Sequence, residues 1–592
     1  MTAVKRIGEW VRRDPGLALL VISVLAVIAV YAPTLHFGLV NYDDPWLVRD
    51  NWILRDASWS SLETVFFDLH SPRRFVLSPE YLPVRDLSIM LDFAIWGDHY
   101  EGFHLTNLVV YLVAIVTWFS ALSAFGVDRK LAGVAVLVWA LHPSHAESVA
   151  WITERKGLLA VMFAGIAAFA YARYRAGRSA GWLAGWLALA AAMAVCAVWS
   201  KATGAFAIAA LAGLELVLPA ARVSWRRSLV GLGVIGVVAA AAFVPVVVLA
   251  ADASVVGAAQ NPPAGRLAMV LGVHGFDLRA SALAVANAVS YPLSSQGPSA
   301  LDLILGGFGL AALVAVLALR RGPRELRAGA VVWLAGWLPA SHLILPLKMI
   351  FVADRYLLFP TLGFALIVAV GISRVPRPAI RNALLAAIVL ASAFRTLSAQ
   401  ANWRDAQTLW AAAVASNPAD GEAWGMYAEA VAERGGDAEA VVAEGLRHTS
   451  SPRLVHRQAL LVLPRDRPRA IALLRDAARG GEAIAMSNLA LLLLQDGAID
   501  EAVMWARSAA ASRPTAHAYR TLGKVELAAG HADAALPAFE HALAVEPTCA
   551  NHFNVALALV ALDRPGAISH LDRCVNDPQV GGRARELRGR AR

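Results

Sequence analysis

From Gly16 to Ala393 the chain alternates long apolar runs with short loops rich in arginine; beyond about Arg395 polar residues recur at helical spacing instead. A helix that crosses a bilayer needs about 20 apolar residues, since no backbone polar group can go unpaired in hydrocarbon. The pattern predicts spans at Gly16–Pro33, Leu105–Phe125, Leu131–Leu141, Leu158–Tyr171, Trp182–Trp199, Gly204–Leu218, Leu229–Ala251, Leu303–Leu319, Ala328–Leu345, Tyr356–Ile372 and Ala379–Ala393. The third run is short, so its helix is expected to extend into its flanks. The segment Pro15–Tyr31, preceded by Lys5, Arg6, Arg12 and Arg13, is longer than a signal-peptide core and has no small-residue cleavage site, so it is expected to stay as the first span.

Eleven spans agree with the excess of Lys and Arg that marks cytoplasmic loops. With the N-terminus inside, Arg129/Lys130, Arg173/Arg175/Arg178, Arg222/Arg226/Arg227, Arg320/Arg321/Arg324/Arg327 and Arg374/Arg377/Arg381 all fall inside. The agreement requires that the moderately apolar stretch Arg266–Leu293, with His274, Asp277 and Arg279, be re-entrant or interfacial. The loop 34–104, the segment His142–Lys156 and the C-terminal region are then all expected outside, on one face.

From Trp403 the sequence repeats near the tetratricopeptide period. One unit carries Tyr519, Leu522, Gly523, Gly530, Ala535, Phe539, Ala542 and Pro547, and the preceding one Leu489, Ala490, Gly497, Ala502, Ala509 and Pro514; weaker units surround Trp410 and Trp424. Small residues let paired helices approach, and such pairs stack into a solenoid with a concave protein-binding face. The fold class is therefore all-α: a polytopic membrane bundle over residues 1–398, with amphipathic helices in its external loop 34–104, then an α-solenoid over 399–592.

The composition supports this division. The 592 residues are 58% hydrophobic and 16% charged, too apolar for a soluble chain. The net charge of +9 sits mainly in loops between spans, which argues against a nucleic-acid partner. Cys196, Cys549 and Cys574 have no metal-ligand spacing; Cys549 and Cys574 leave open both a pairing in an oxidising compartment and two free thiols.

Candidate chemistry lies on the external face. Asp43 and Asp44, in Asn41-Tyr42-Asp43-Asp44, place two carboxylates at a membrane boundary, which is costly unless they are solvated, paired or working. They read equally as a general base for an acceptor hydroxyl and as a solvated turn. His142, His145, Glu147, Glu154, Arg155 and Lys156 form a second cluster. His145 and Glu147 suit an acceptor or, as the minor reading, a divalent ion, and Arg155 and Lys156 suit a phosphate or headgroup-depth snorkelling. Asp354-Arg355-Tyr356 offers a cation for a lipid phosphate, or an ion pair closing a helix end. Arg85 with Asp86 is a weaker instance; Lys201, read as an exposed cation, and Lys348 are weaker again. No Walker loop, Rossmann fingerprint or serine-hydrolase elbow is present, which argues against cytoplasmic nucleotide-dependent catalysis.

Taken together, Asn41–Asp44, Gly102-Phe103-His104-Leu105-Thr106-Asn107, the run His142-Pro143-Ser144-His145-Ala146-Glu147-Ser148-Val149-Ala150-Trp151-Ile152 with Arg155-Lys156, Ala353–Leu357 and Asn402-Trp403-Arg404-Asp405 resemble the transmembrane and tetratricopeptide-repeat-containing (TMTC-like) O-mannosyltransferases, in the same order over nearly the whole chain. The resemblance implies a GT-C fold and inverting transfer of a mannose-like hexose from a polyprenyl-phosphate donor to Ser/Thr hydroxyls of periplasmic or secreted proteins presented by the repeats. It makes Asp43 and Asp44 the catalytic pair, with Asp43 favoured as base because related mannosyltransferases place the key Asp first. Arg355, Arg155, Lys156 and Arg85 become donor-phosphate ligands, and His142, His145, Glu147, Asp354 and Tyr356 acceptor or donor positioning residues. No cofactor is required beyond the lipid-linked donor, although a divalent cation is compatible. Ala202 departs from the family, which has Glu there. The alanine-rich composition points to a bacterial member in the inner membrane, N-terminus cytoplasmic. Two other readings stay open: a non-catalytic repeat-bearing scaffold of an envelope complex, and a transferase acting on lipid or glycan acceptors.

Overall fold

The computed structural model of the chain describes residues 13–70, 74–78, 80–177, 179–218, 224–252, 265–283, 289–291, 297–319, 322–344 and 351–590. Lys5, Arg6, Arg12, Arg178, Arg222, Arg320, Arg321 and Lys348 lie outside the described residues. Among those described, every regular element is helical. The chain forms two compact units, residues 1–69 with 77–416, and residues 70–76 with 417–592.

The first unit contains α1 (Pro15–Tyr31), α2 (Trp59–Phe66), α3 (Pro83–Trp96), α4 (Tyr100–Ala124), α5 (Arg129–Ala140), α6 (Ala146–Ala150), α7 (Arg155–Ala176), α8 (Ala180–Ser200), α9 (Phe206–Val217), α10 (Trp225–Asp252), α11 (Arg266–Leu283), α12 (Ala300–Ala318), α13 (Arg324–Trp337), α14 (Pro360–Ser373), α15 (Pro378–Ala401) and α16 (Ala406–Ser416). Each of the eleven apolar runs contains a helix, although in Ala328–Leu345 it stops at Trp337 and Leu345 lies outside the described residues. Among the described residues seven helices are long and apolar enough to cross a membrane: α1, α4, α7, α8, α10, α12 and α15. Four runs make shorter helices of 12 to 14 residues, α5, α9, α13 and α14. The 18-residue α11 is not among the seven.

Local chemistry explains the helix starts and crossings. Asp14 caps α1 by accepting from Leu17 N at 3.0 Å, with Pro15 at the first helical position, and Asp128 caps α5 in the same way on Leu131 N. Small residues then set the crossings. A Cβ on Gly16 would lie 2.4 Å from the Arg129 carbonyl, and one on Gly363 2.3 Å from Trp333 N, so α1 meets α5 and α13 meets α14 almost backbone to backbone. The short α5 is buried continuously from Ala132 to Ala140. Buried indoles satisfy their N–H on neighbouring carbonyls, Trp118 on Val161 and Trp139 on Leu358, each at 2.9 Å. Arg175, expected in a cytoplasmic loop, is instead buried, with Glu215 at 2.8 Å.

The second unit is a run of helix pairs: α17 (Gly421–Glu433) and α18 (Ala438–His448), α19 (Pro452–Val462) and α20 (Arg467–Arg479), α21 (Ala483–Gln495) and α22 (Ile499–Ser512), α23 (Ala516–Ala528) and α24 (Ala532–Val545), α25 (Cys549–Ala561) and α26 (Ala567–Asp572), then α27 (Gly581–Arg590). Gly523 shows why the repeat needs small residues: a Cβ there would meet the Phe539 ring at 2.5 Å. Gly530 ends its helix at φ +83°, where a side chain is strained. Cys549 and Cys574 are free thiols, Cys574 Sγ lying 3.4 Å from the Cys549 carbonyl.

Candidate functional site

The turn that follows α1 separates the two adjacent carboxylates. Asp44 is buried; its Oδ2 accepts from Val40 N and its Oδ1 from the Trp151 indole, each at 3.0 Å. Burial pushes its carboxyl up to about 7, against the pull of these hydrogen bonds. Asp43 is only half-buried, and its side chain has no hydrogen-bond partner among the described residues. Burial raises its pKa too, while the charges of Lys156 and then Arg355 draw it back. The pair thus consists of a carboxylate that ties the turn together and one without a side-chain hydrogen bond among the described residues, in the field of Lys156 and Arg355.

Aromatic stacking holds this turn. Tyr42 stacks on Trp151 with centroids 5.0 Å apart, Trp151 stacks on Trp403 at 5.3 Å, and the Trp410 indole donates to Asn41 Oδ1 at 2.5 Å. Trp403 and α16 therefore belong to the framework of the turn.

The cations around Asp43 are held by acids that the fold brings from far along the chain. Lys156 donates to Glu80 at 2.7 Å, and Glu80 is held down at about 2 because the charges of Lys156, Arg85 and Lys201 outweigh its burial. Arg355 pairs with Glu147, whose other oxygen accepts the Arg355 backbone N–H at 2.9 Å, and its guanidinium lies over Trp151. Lys201 donates to Glu154 at 2.5 Å and lies 5.9 Å from the Tyr356 ring centre. Contrary to expectation, Lys201 is buried, and that burial lowers its pKa while Glu154 supports the charge.

Lys201, Arg355 and Tyr356 form the polar end of a slot whose remaining walls are Gly157, Ala160, Val161, Ala164, Thr203, Gly204, Ala207, Gly336, Pro339, Ala340, Leu358 and Phe359. Its free space of about 50 Å³ is that of a few water positions. An anionic headgroup fits the chemistry of that end: two cations, a phenol, and small residues that keep side chains out.

Other expected residues are positioned elsewhere. Arg155, read as a phosphate ligand, instead has every guanidinium nitrogen engaged inside the protein, with Asn107, the Phe103 and Ser88 carbonyls and the Asp92 carboxylate. Arg85 is fully buried against Asp86 and the Leu77 carbonyl, and touches the site only through its charge. His142 has its ring nitrogens 2.8 Å from Ser144 Oγ and 3.0 Å from the Ser281 carbonyl. His145 is likewise held between Tyr111 at 2.7 Å and Thr361 at 2.8 Å. Burial lowers His142 to about 4 and holds His145 well below the usual imidazole range, so both are neutral framework groups without a nitrogen to spare for a ligand. Asp354 accepts from Tyr291 at 2.7 Å, and burial, then the charge of Glu147, push its carboxyl well up. Among the described residues no group of three or more His, Cys, Asp and Glu side chains could hold a metal ion.

Sequence reading passed over Glu80 altogether and missed the role of Lys201. A cation one residue beyond the end of α8 was a signal for the latter, since charge at a span boundary is costly. Glu80 carried no local signal, because its partner Lys156 is 76 residues away.

No family model matches the chain. Over 127 residues it is 34% identical to the protein O-mannosyl-transferase Tmtc2 of Drosophila melanogaster, a stretch covering 20% of this chain and 13% of that protein. Over 140 residues it is 28% identical to the protein O-mannosyl-transferase TMTC1 of Mus musculus, covering 23% and 15%. The matches thus span less than a sixth of the length of these relatives. Among solved structures, the archaeal oligosaccharyltransferase AglB of Archaeoglobus fulgidus aligns at 16% identity and a TM-score of 0.38, over 75% of this chain and 61% of that one. ArnT of Cupriavidus metallidurans aligns at 15% and 0.35, over 72% and 74%. Scores of this size leave the fold to be argued from the helices themselves. The resemblance to TMTC-type O-mannosyltransferases carried by the motifs is thus also found by direct comparison with TMTC1 and Tmtc2.

Proposed function

We propose that the chain is a membrane glycosyltransferase of the GT-C type that transfers a mannose-like hexose, with inversion, from a polyprenyl-phosphate donor to Ser or Thr hydroxyls of a protein. The observation that carries this reading is the Asp43 carboxylate, unpartnered and beside the cations Lys156 and Arg355. The named activity of the relatives supports the sugar and the protein acceptor.

In this mechanism Asp43 takes the proton of the acceptor hydroxyl as its oxygen attacks the anomeric carbon. The bond from that carbon to the phosphate oxygen breaks, and the lipid phosphate leaves with the electron pair. A carboxyl raised above its ordinary value by burial is better matched to proton transfer near neutral pH than an exposed one. Arg355 and Lys201 stabilise the leaving phosphate in the slot, with Lys156 nearer Asp43. Asp44 fixes the turn, Glu147 and Glu154 hold the two phosphate cations, and His142 and His145 brace the segment that carries Glu147. The repeat unit recruits the acceptor protein. In this reading the chain lies in a bacterial inner membrane, with its N-terminus cytoplasmic and Asp43 outside.

The test is reconstitution in vesicles with a polyprenyl-phosphate mannose and a Ser/Thr-rich peptide, read by mass spectrometry. We expect a glycopeptide from the lipid donor and none from a nucleotide sugar alone. Absence of product with every lipid-linked hexose tried, together with an unchanged envelope glycoproteome in a null strain, would leave the scaffold reading.

A further inference from the structure

A second cavity lies at the other end of the bundle, where α1 begins rather than where it delivers Asp43. It is bounded by α1, α5, α14 and α15 and has about 310 Å³ of space, some six times that of the slot. Its mouth carries Lys130 and Arg381, with Asn382 and Asp128. The neighbouring Arg129 is paired with Asp14 at 2.6 Å, and the Asp128 carboxylate accepts from Leu131 N as the cap of α5. Lys130 and Arg381, by contrast, have no partner among the described residues. Behind them the walls are apolar, including Ala18, Ile22, Val134 and Leu385. Ile22 and Leu385 each lie seven residues into their helices, so at 1.5 Å per residue the apolar wall runs about 10 Å inward from the charged mouth.

We propose that this cavity binds an anionic phospholipid of the leaflet at that end, its phosphate between Lys130 and Arg381 and part of an acyl chain along the apolar wall. Unpaired cations level with the ends of spanning helices lie at headgroup depth, and the wall below them matches the upper part of a lipid tail. The site is distinct from that of a sugar donor, because α1 separates it from Asp43 by 17 residues of helix, about 25 Å. It contacts four helices at once, so its occupant holds α1 and α5 to α14 and α15.

The experiment compares phosphatidylglycerol with phosphatidylcholine of the same chains, on the full-length protein in detergent, by native mass spectrometry and thermal shift. Wild type is expected to retain phosphatidylglycerol at least about tenfold better, as two basic groups imply, and to melt higher with it. The Lys130→Gln, Arg381→Gln double variant should lose that preference; should it fail to fold, the wild-type comparison decides alone. Equal retention of the two lipids by wild type would overturn the proposal, as would an undiminished preference in the double variant. Stronger stabilisation of wild type by undecaprenyl phosphate, lost in the double variant, would also overturn it by assigning the cavity to the carrier lipid.

Discussion

The ion pairs around the candidate site in the first unit and typical pairs of the repeat unit use the same chemistry in opposite settings. In the first, Arg155–Asp92, Lys201–Glu154 and Arg355–Glu147 are enclosed, with no side chain more than 11% exposed. In the repeat unit, Arg465–Glu439 lies at 59% and 50% exposure and Arg467–Asp496 at 38% and 42%. Exposed pairs contribute between nothing and about 1 kcal/mol each, whereas removing one partner of a buried pair leaves a charge that nothing solvates. The contrast separates a surface whose charges serve solubility from an interior whose charges are held in place at a cost. In the proposed function enclosed charge of that kind serves the leaving phosphate of a glycosyl donor, close to an Asp43 carboxylate that has no hydrogen-bond partner among the described residues.

The sharpest test is within the acidic pair itself. Asp43→Asn should reduce sugar transfer at least about 100-fold while leaving the melting temperature unchanged, because no described hydrogen bond is lost. Asp44→Asn should lower the melting temperature, since the contacts with Val40 and Trp151 are disturbed. If the two variants behave alike in both assays, the division of roles fails.

Next in size is the cost of orphaning a charge. Glu147→Gln should destabilise the detergent-solubilised protein by about 3–5 kcal/mol, with Arg355 left buried, whereas Glu439→Gln in the repeats should cost less than about 1 kcal/mol. Thermal unfolding of both reads the comparison directly, and equal losses would break it. Lys201→Gln is expected to raise KM for the lipid donor about tenfold, the scale of one charge-assisted hydrogen bond, with a smaller change in kcat. A steady-state series over donor concentration checks this, and an unchanged KM removes Lys201 from the phosphate site.

The smallest effect is a pH slope. The Asp44 carboxyl has its folded pKa raised to about 7 from an ordinary 3.8, so the folded state binds the proton more tightly than the unfolded one. Stability from this group is therefore lowest above pH 7 and increases as pH falls from about 7 towards 4. Glu80 acts in the opposite sense, its pKa being depressed to about 2, but only below its ordinary 4.5. The neutral buried His142 and His145 oppose this in wild type and variant alike as pH falls below about 6.5, so from pH 8 to pH 5 it is the melting-temperature difference between wild type and Asp44→Asn that should move in favour of wild type. A wild-type slope shared by the variant would place the proton on another group.

What the sequence determined by itself was everything that depends on near neighbours. Apolar runs set the helices, because hydrocarbon requires every backbone group to be paired within its own segment. The small residues of the repeats, Gly523 opposite Phe539 among them, fixed helix pairing through spacing alone. Asp43 and Asp44 were visible as acids at a span boundary, but identical residues one position apart cannot be ranked by type. Only the tertiary structure decided that Trp151, 107 residues away, claims Asp44 and leaves Asp43 free. It likewise turned Arg155 inward to Asn107 and Asp92, and turned Lys201 from a surface cation into the partner of Glu154. The physical reason is that burial and charge pairing belong to groups brought together in space. Sequence specifies the charges, while the packing of distant helices decides which of them is compensated and which is not.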